Sequence, residues 1–189
     1  MININEIYEG IREMESARIR VGEISDKLRN ASIESIECLE KGEKPEMLKL
    51  KDLFSEAKGF IEGAPHLFQE LDNAFVIYAE TTFLIAFLEG KNLPGYESVE
   101  VTPCQYVKAL KAFVKDLRKL FLKKVGAGEN DGAKGILEEI ELVFSALEKA
   151  GADGTEELEP MVDRSREEIA LMDYRKKKDS LDLDSVWFK

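Results

Sequence analysis

The sequence predicts an all-α fold, a single-domain antiparallel bundle of about six to seven helices with a long N-terminal helix. Three observations carry this: apolar residues recur at helical spacing along most of the chain, no stretch alternates with the period of a half-buried strand, and glycine or proline punctuates the helical runs. At 189 residues and 44 % hydrophobic content, the chain can bury one sizeable core. We expect one domain over residues 1–189, without repeats, low-complexity blocks or an interdomain linker.

The first helix is expected from Asn5 to about Leu39. Its apolar positions, Ile7, Ile11, Met14, Val21, Ile24, Leu28, Ile36 and Leu39, keep close to a seven-residue repeat interrupted by Arg18 and Ser25. Gly42 ends it, and Pro45 precedes a second face built from Met47, Leu50, Leu53, Phe54, Ala57 and Phe60, which stops near Gly63. Pro65 opens a third helix to Glu89, followed by Gly90 and a loop, Lys91–Ser98. Thr102 and Pro103 supply a cap and a first-turn proline for helix four, which ends at Gly126-Ala-Gly128. Helix five is expected from Ala133 to Ala150 and helix six from about Glu156 to Lys178. Asp179–Lys189 reads as a tail whose Leu181, Leu183, Val186, Trp187 and Phe188 suit docking on the same or a neighbouring subunit.

One carboxylate stands out within helix three. Glu80 is the only charge in the 15-residue run Ala74–Leu88, and a glutamate in such surroundings is desolvated unless a cation, a metal or a hydrogen-bond donor meets it. The run is too short to span a bilayer, so it reads as a soluble core helix and no membrane association is expected.

Helix four carries the charge that the whole chain lacks. With a net charge of −11 and a pI near 4.8, general nucleic-acid binding is disfavoured and any such binding needs a local basic surface. Between Pro103 and Lys124, seven basic residues face a single acid, Asp116, a local +6 that leaves the rest of the chain at −17. Lys108, Lys111, Lys115, Arg118 and Lys119 fall on one stripe, with Lys123 continuing it, opposite Tyr106, Leu110, Phe113, Leu117 and Leu120. Such a ridge can follow a phosphate backbone, or it can be a solvated face paired with acids on neighbouring helices. Asp116 at its edge and Glu80 are candidates to share a hard divalent cation; the plainer reading makes them partners in buried hydrogen bonds and salt bridges.

Other chemistry is poorly supplied. His66 is the only histidine and no nucleophile elbow, phosphate loop or zinc spacing is present. The glycines at 126, 128, 132 and 135 read as helix punctuation, and Arg175–Lys178 as a solvated helix end that complements the dipole or meets an acidic partner. Cys38 and Cys104 follow no disulfide or metal framework, and Met1-Ile-Asn-Ile-Asn-Glu has no signal character, so a cytoplasmic location is expected.

Ala74-Phe-Val-Ile-Tyr-Ala-Glu80, Val101-Thr-Pro-Cys-Gln-Tyr106, the helix through Asp116-Leu-Arg-Lys-Leu120, and Val125-Gly-Ala-Gly-Glu129 occur in an order and spacing that resemble translin and its partner TRAX. The resemblance implies an all-α chain that assembles into a barrel-like octamer and binds single-stranded RNA or DNA. Through TRAX-type subunits it also implies magnesium-dependent RNA cleavage. Of the four TRAX-type acidic positions, two match Glu80 and Asp116, whereas the others fall on Ile77 and Ala112. At these positions the chain is closer to translin. The family's basic residue after the last acid matches Lys119, but the basic segments before the central helix are poorly matched, with Lys44, Lys49, Lys51 and Lys58 interleaved with acids. The leading expectation is a single-stranded nucleic-acid-binding homo-oligomer. The alternative is a divergent magnesium endoribonuclease using Glu80 and Asp116, or one completed by a second translin- or TRAX-type subunit.

Overall fold

The computed structural model describes residues 4–186, with side chains described over 8–178 apart from residue 40. Among the described residues there are seven α-helices and no strand: α1 (Ile4–Glu40), α2 (Met47–Gly63), α3 (Phe68–Leu88), α4 (Tyr96–Val99), α5 (Pro103–Gly126), α6 (Asn130–Lys149) and α7 (Glu159–Val186). Short 3-10 turns occupy Pro65–Leu67 and Thr155–Glu157. The chain divides into two compact units, Met1–Ala109 and Leu110–Lys189, with the boundary inside α5.

In the first unit, α1 packs on α2 and α3. Val21, Ile24 and Leu28 bury the predicted stripe, and small residues follow them at Ala31, Ser32 and Ser35. That small surface brings α3 near enough for the Thr81 hydroxyl to reach the Ser32 carbonyl at 3.4 Å. From α2, Phe54 stacks on Tyr78 with ring centroids 4.0 Å apart and meets Phe75 edge-on at 5.1 Å.

Helix α3 together with its preceding turn, Pro65–Leu88, runs 24 residues and is long and apolar enough to cross a membrane by length and composition. The helix was expected from Pro65 to Glu89, but the 15-residue run Ala74–Leu88 on which the bilayer argument rested is only part of the apolar stretch. Two thirds of its most apolar stretch is buried inside the protein, which fits the core helix of a folded domain. It ends at Gly90 (φ +67°), where the Gly90 N–H donates to Phe87 and the Lys91 N–H to Ala86, a Schellman closure that needs a left-handed residue.

The second unit holds the rest of α5 with α6 and α7. Ile136, Ile140, Val143, Phe144 and Leu147 line the apolar face of α6, and Leu158 just before α7 and Val162 and Ser165 in its first turns are buried. Lys134–Asp173 at 2.9 Å and Arg166–Glu141 at 2.6 Å join the polar flanks of the two helices.

Three expectations need correction. The loop after Gly90 contains a full helical turn, α4, because the Ser98 and Val99 N–H groups both return to the Gly95 carbonyl. Gly132 and Gly135 lie inside α6 instead of punctuating it. Helix α7 continues to Val186, so most of the expected tail is helical and Arg175–Lys178 sits mid-helix, two turns from the end where the dipole acts. Trp187 and Phe188 lie outside the described residues.

Candidate nucleic-acid interface

The ridge begins with a capping box. Thr102 Oγ1 accepts from the Gln105 N–H at 3.2 Å while Gln105 Oε1 accepts from the Thr102 N–H at 2.9 Å, so two backbone donors at the start of α5 are satisfied reciprocally. Thr102 was legible as a cap; Gln105 was missed, although its place three residues on is the signature. Gln105 is fully buried and its Nε2 donates to Asp72 at 3.0 Å, while Lys108 donates to the other oxygen of Asp72 at 2.7 Å. Burial pushes the Asp72 carboxyl up, but the bonds from Lys108 and Gln105 outweigh it and hold the group below its ordinary value. The same bond raises Lys108.

Further along α5 the cations differ in what holds them. Lys111 donates to the Asp153 carbonyl at 2.8 Å. Arg118, only 11 % exposed, makes a bidentate pair with Glu168 at 2.6 and 2.9 Å and lies 4.8 Å from the centre of the Phe121 ring. The guanidinium depresses the Glu168 carboxyl below its usual range. Lys119 is exposed and donates to Asp116 at 2.6 Å, and Lys124 pairs with Glu129 at 2.5 Å. Lys115 and Lys123 are exposed. The predicted stripe is thus real on the helix, but Arg118 is inside the protein's own fabric while Lys115, Lys119 and Lys123 face solvent.

Glu80 is half-buried on α3 and is engaged within the protein; Ile77, one turn earlier, gives its carbonyl to the Thr81 hydroxyl at 2.8 Å. Asp116 is buried on α5 with one oxygen taken by Lys119. No group of three or more His, Cys, Asp or Glu able to hold a metal occurs among the described residues. With apolar Ile77 and Ala112 at the other two positions, the residues present are a poor fit to a magnesium centre, and no step is assigned to the metal.

The seven helices among the described residues, in this order, make an all-α chain of the translin/TRAX fold. No family model matches the sequence, and no curated protein does. Solved structures that share the fold include those of C3PO: apo-NeC3PO superposes with a TM-score of 0.82 at 13 % identity, covering 91 % of this chain and 98 % of that one. AfC3PO in complex with duplex RNA gives 0.71, and AfC3PO alone 0.72, both at 18 % identity over 92 % of this chain and 98 % of theirs.

Proposed function

We propose that this protein binds single-stranded RNA or DNA as a homo-oligomer, an octamer by the translin resemblance, and that Lys115, Lys119 and Lys123 on α5 are its principal phosphate contacts, with Lys108 and Lys111 flanking them. The observation that carries the reading is the exposed lysine row on one continuous helix of an otherwise acidic chain. The fold supports it, since a protein of the same fold forms a complex with duplex RNA. Arg118 supports the ridge from within and is not assigned to the ligand. The unpaired Cys38 and Cys104 suit a reducing cytoplasm.

The alternative, a divergent magnesium endoribonuclease using Glu80 and Asp116, has the thinner support set out above. One assay separates the two. Labelled single-stranded RNA is titrated with protein at low and moderate salt, with magnesium or with chelator, alongside Lys115→Glu/Lys119→Glu/Lys123→Glu and Glu80→Gln. The expected result is intact, shifted RNA whose affinity falls steeply with salt and at least about tenfold in the triple variant, as loss of three phosphate contacts requires. Unchanged affinity in the triple variant would remove α5 from the interface. Metal-dependent cleavage lost in Glu80→Gln would establish the nuclease instead.

A further inference from the structure

Arg175-Lys-Lys-Lys178 lies in the middle of α7, so the helix dipole does not account for it. Within the second unit α7 runs beside α5 in the same direction: Glu168 meets Arg118, and seven residues further along each helix Arg175 and Val125 line one groove. Seven residues are close to two turns, so Arg175 is presented from the same side of α7 as Glu168. The groove holds about 700 Å³ and is also lined by Lys176, Met172, Gly128 and Gly132.

What α5 offers at the two levels differs. Arg118 finds a carboxylate, whereas Arg175 finds Val125 and a helix end that is already closed: the Lys123, Lys124 and Val125 carbonyls accept from the N–H groups of Ala127, Glu129 and Gly128. Capping α5 is therefore not its task. The nearby acids have cations of their own, Glu129 taking Lys124 at 2.5 Å and Asp173 taking Lys134 at 2.9 Å, with Asp131 in the field of Lys134. Arg175 and Lys176 are exposed and make no hydrogen bond or ion pair among the described residues; Lys176 acts on Asp173 only through its charge.

We propose that this groove is a second phosphate site for the strand that α5 grips, with Arg175 and Lys176 as its ligands to one phosphodiester. The inference rests on the nucleic-acid binding of the proposed function and extends its path from α5 to α7. Continuity selects the occupant. Val125 follows Lys123 by two residues, about 3 Å along the axis, so a backbone tracking Lys115, Lys119 and Lys123 arrives at the groove where the helix ends. A strand carries the same anion at every step and can satisfy both patches at once. The planar fork of Arg175 suits two oxygens of one phosphate, and Lys176 adds a point charge beside it. Gly128 and Gly132 put no side chain in the way.

The test is fluorescence anisotropy of end-labelled single-stranded RNA with the full-length protein over a salt series. Wild type is compared with Arg175→Gln/Lys176→Gln, with Lys115→Glu/Lys119→Glu/Lys123→Glu, and with Lys41→Gln/Lys149→Gln, which removes the same charge from exposed positions elsewhere. The groove variant should bind at least about fivefold more weakly, with a log–log salt slope shallower by about 0.7, as loss of one phosphate contact on a single strand requires. The Lys41/Lys149 control should match wild type. Because Arg175 and Lys176 hold no partner, the Tm of the groove variant should equal that of wild type; a lowered Tm marks a structural role and overturns the assignment. Inorganic phosphate replacing chloride at constant ionic strength should leave wild-type affinity unchanged. A fall to the level of the groove variant means the site takes free phosphate, and the strand assignment is overturned. A groove variant that binds like wild type, beside a weakened α5 variant, overturns the inference and leaves the proposed function standing. Weakening in the groove variant alone overturns the α5 assignment and keeps the groove. RNA binding that neither variant alters overturns both.

Discussion

Helices α3 and α5 stand in contrast, though each is long and each buries large aromatics. On α3, Phe75, Tyr78, Phe83 and Leu84 are buried on different sides, and Thr82 turns back to its own helix, donating to the Tyr78 carbonyl at 2.9 Å. On α5, Ala109, Phe113, Val114, Leu117 and Phe121 bury one face, leaving the other to cations. The first is held by burial with a few polar ties, Thr81 to Ser32 and Asp72 to Gln105 and Lys108, and is legible as fold. The second divides its residues between holding and binding, and their chemical type does not say which does what: Arg118 and Lys115 are both basic, yet one is enclosed by Glu168 and Phe121 and the other lies in solvent.

The contrast breaks most sharply in the core. Phe83→Ala removes a fully buried ring that meets Tyr106 edge-on at 5.0 Å, and should cost about 3–5 kcal/mol in chemical denaturation. Next comes the difference within α5. Arg118→Ala should cost roughly 1–3 kcal/mol by losing a bidentate pair and a ring contact and leaving Glu168 without its guanidinium. Lys115→Ala should stay within about 0.5 kcal/mol, as exposed substitutions usually do. Equal costs would erase the distinction between holding and binding residues.

The smallest effect is on pH. The carboxyls of Asp72 and Glu168 are held below their ordinary values of 3.8 and 4.5, so the stability they lend is present above those values and is lost as pH falls through the lowered ones. Thermal melts should show Tm declining below about pH 4, with part of the decline absent in Arg118→Ala. Lys108 works in the opposite sense: raised above 10.5, it lends stability that is lost only at strongly alkaline pH.

Much of the architecture was legible because local signals and burial agreed. Thr102-Pro103 marked the start of α5, and the stripe through Val21 and Leu28 marked the buried face of α1. The turn at Tyr96–Val99 was hidden because four residues are too few to show a period. The continuation of α7 beyond Lys178 was hidden by a charge run that imitates a helix end. Within the candidate interface, the ridge itself could be read from spacing, but its partition could not. The partners of Lys108 and Arg118, Asp72 and Glu168, lie 36 and 50 residues away, and only the folded chain brings them together.

The aromatics of α5 are turned inward, Phe113 and Phe121 wholly so, and no ring stands among Lys115, Lys119 and Lys123. On the proposed reading, a strand lying there would find charge at every step and nothing flat for its bases to rest on. It would be gripped without being spelled, and one order of letters would serve as well as another.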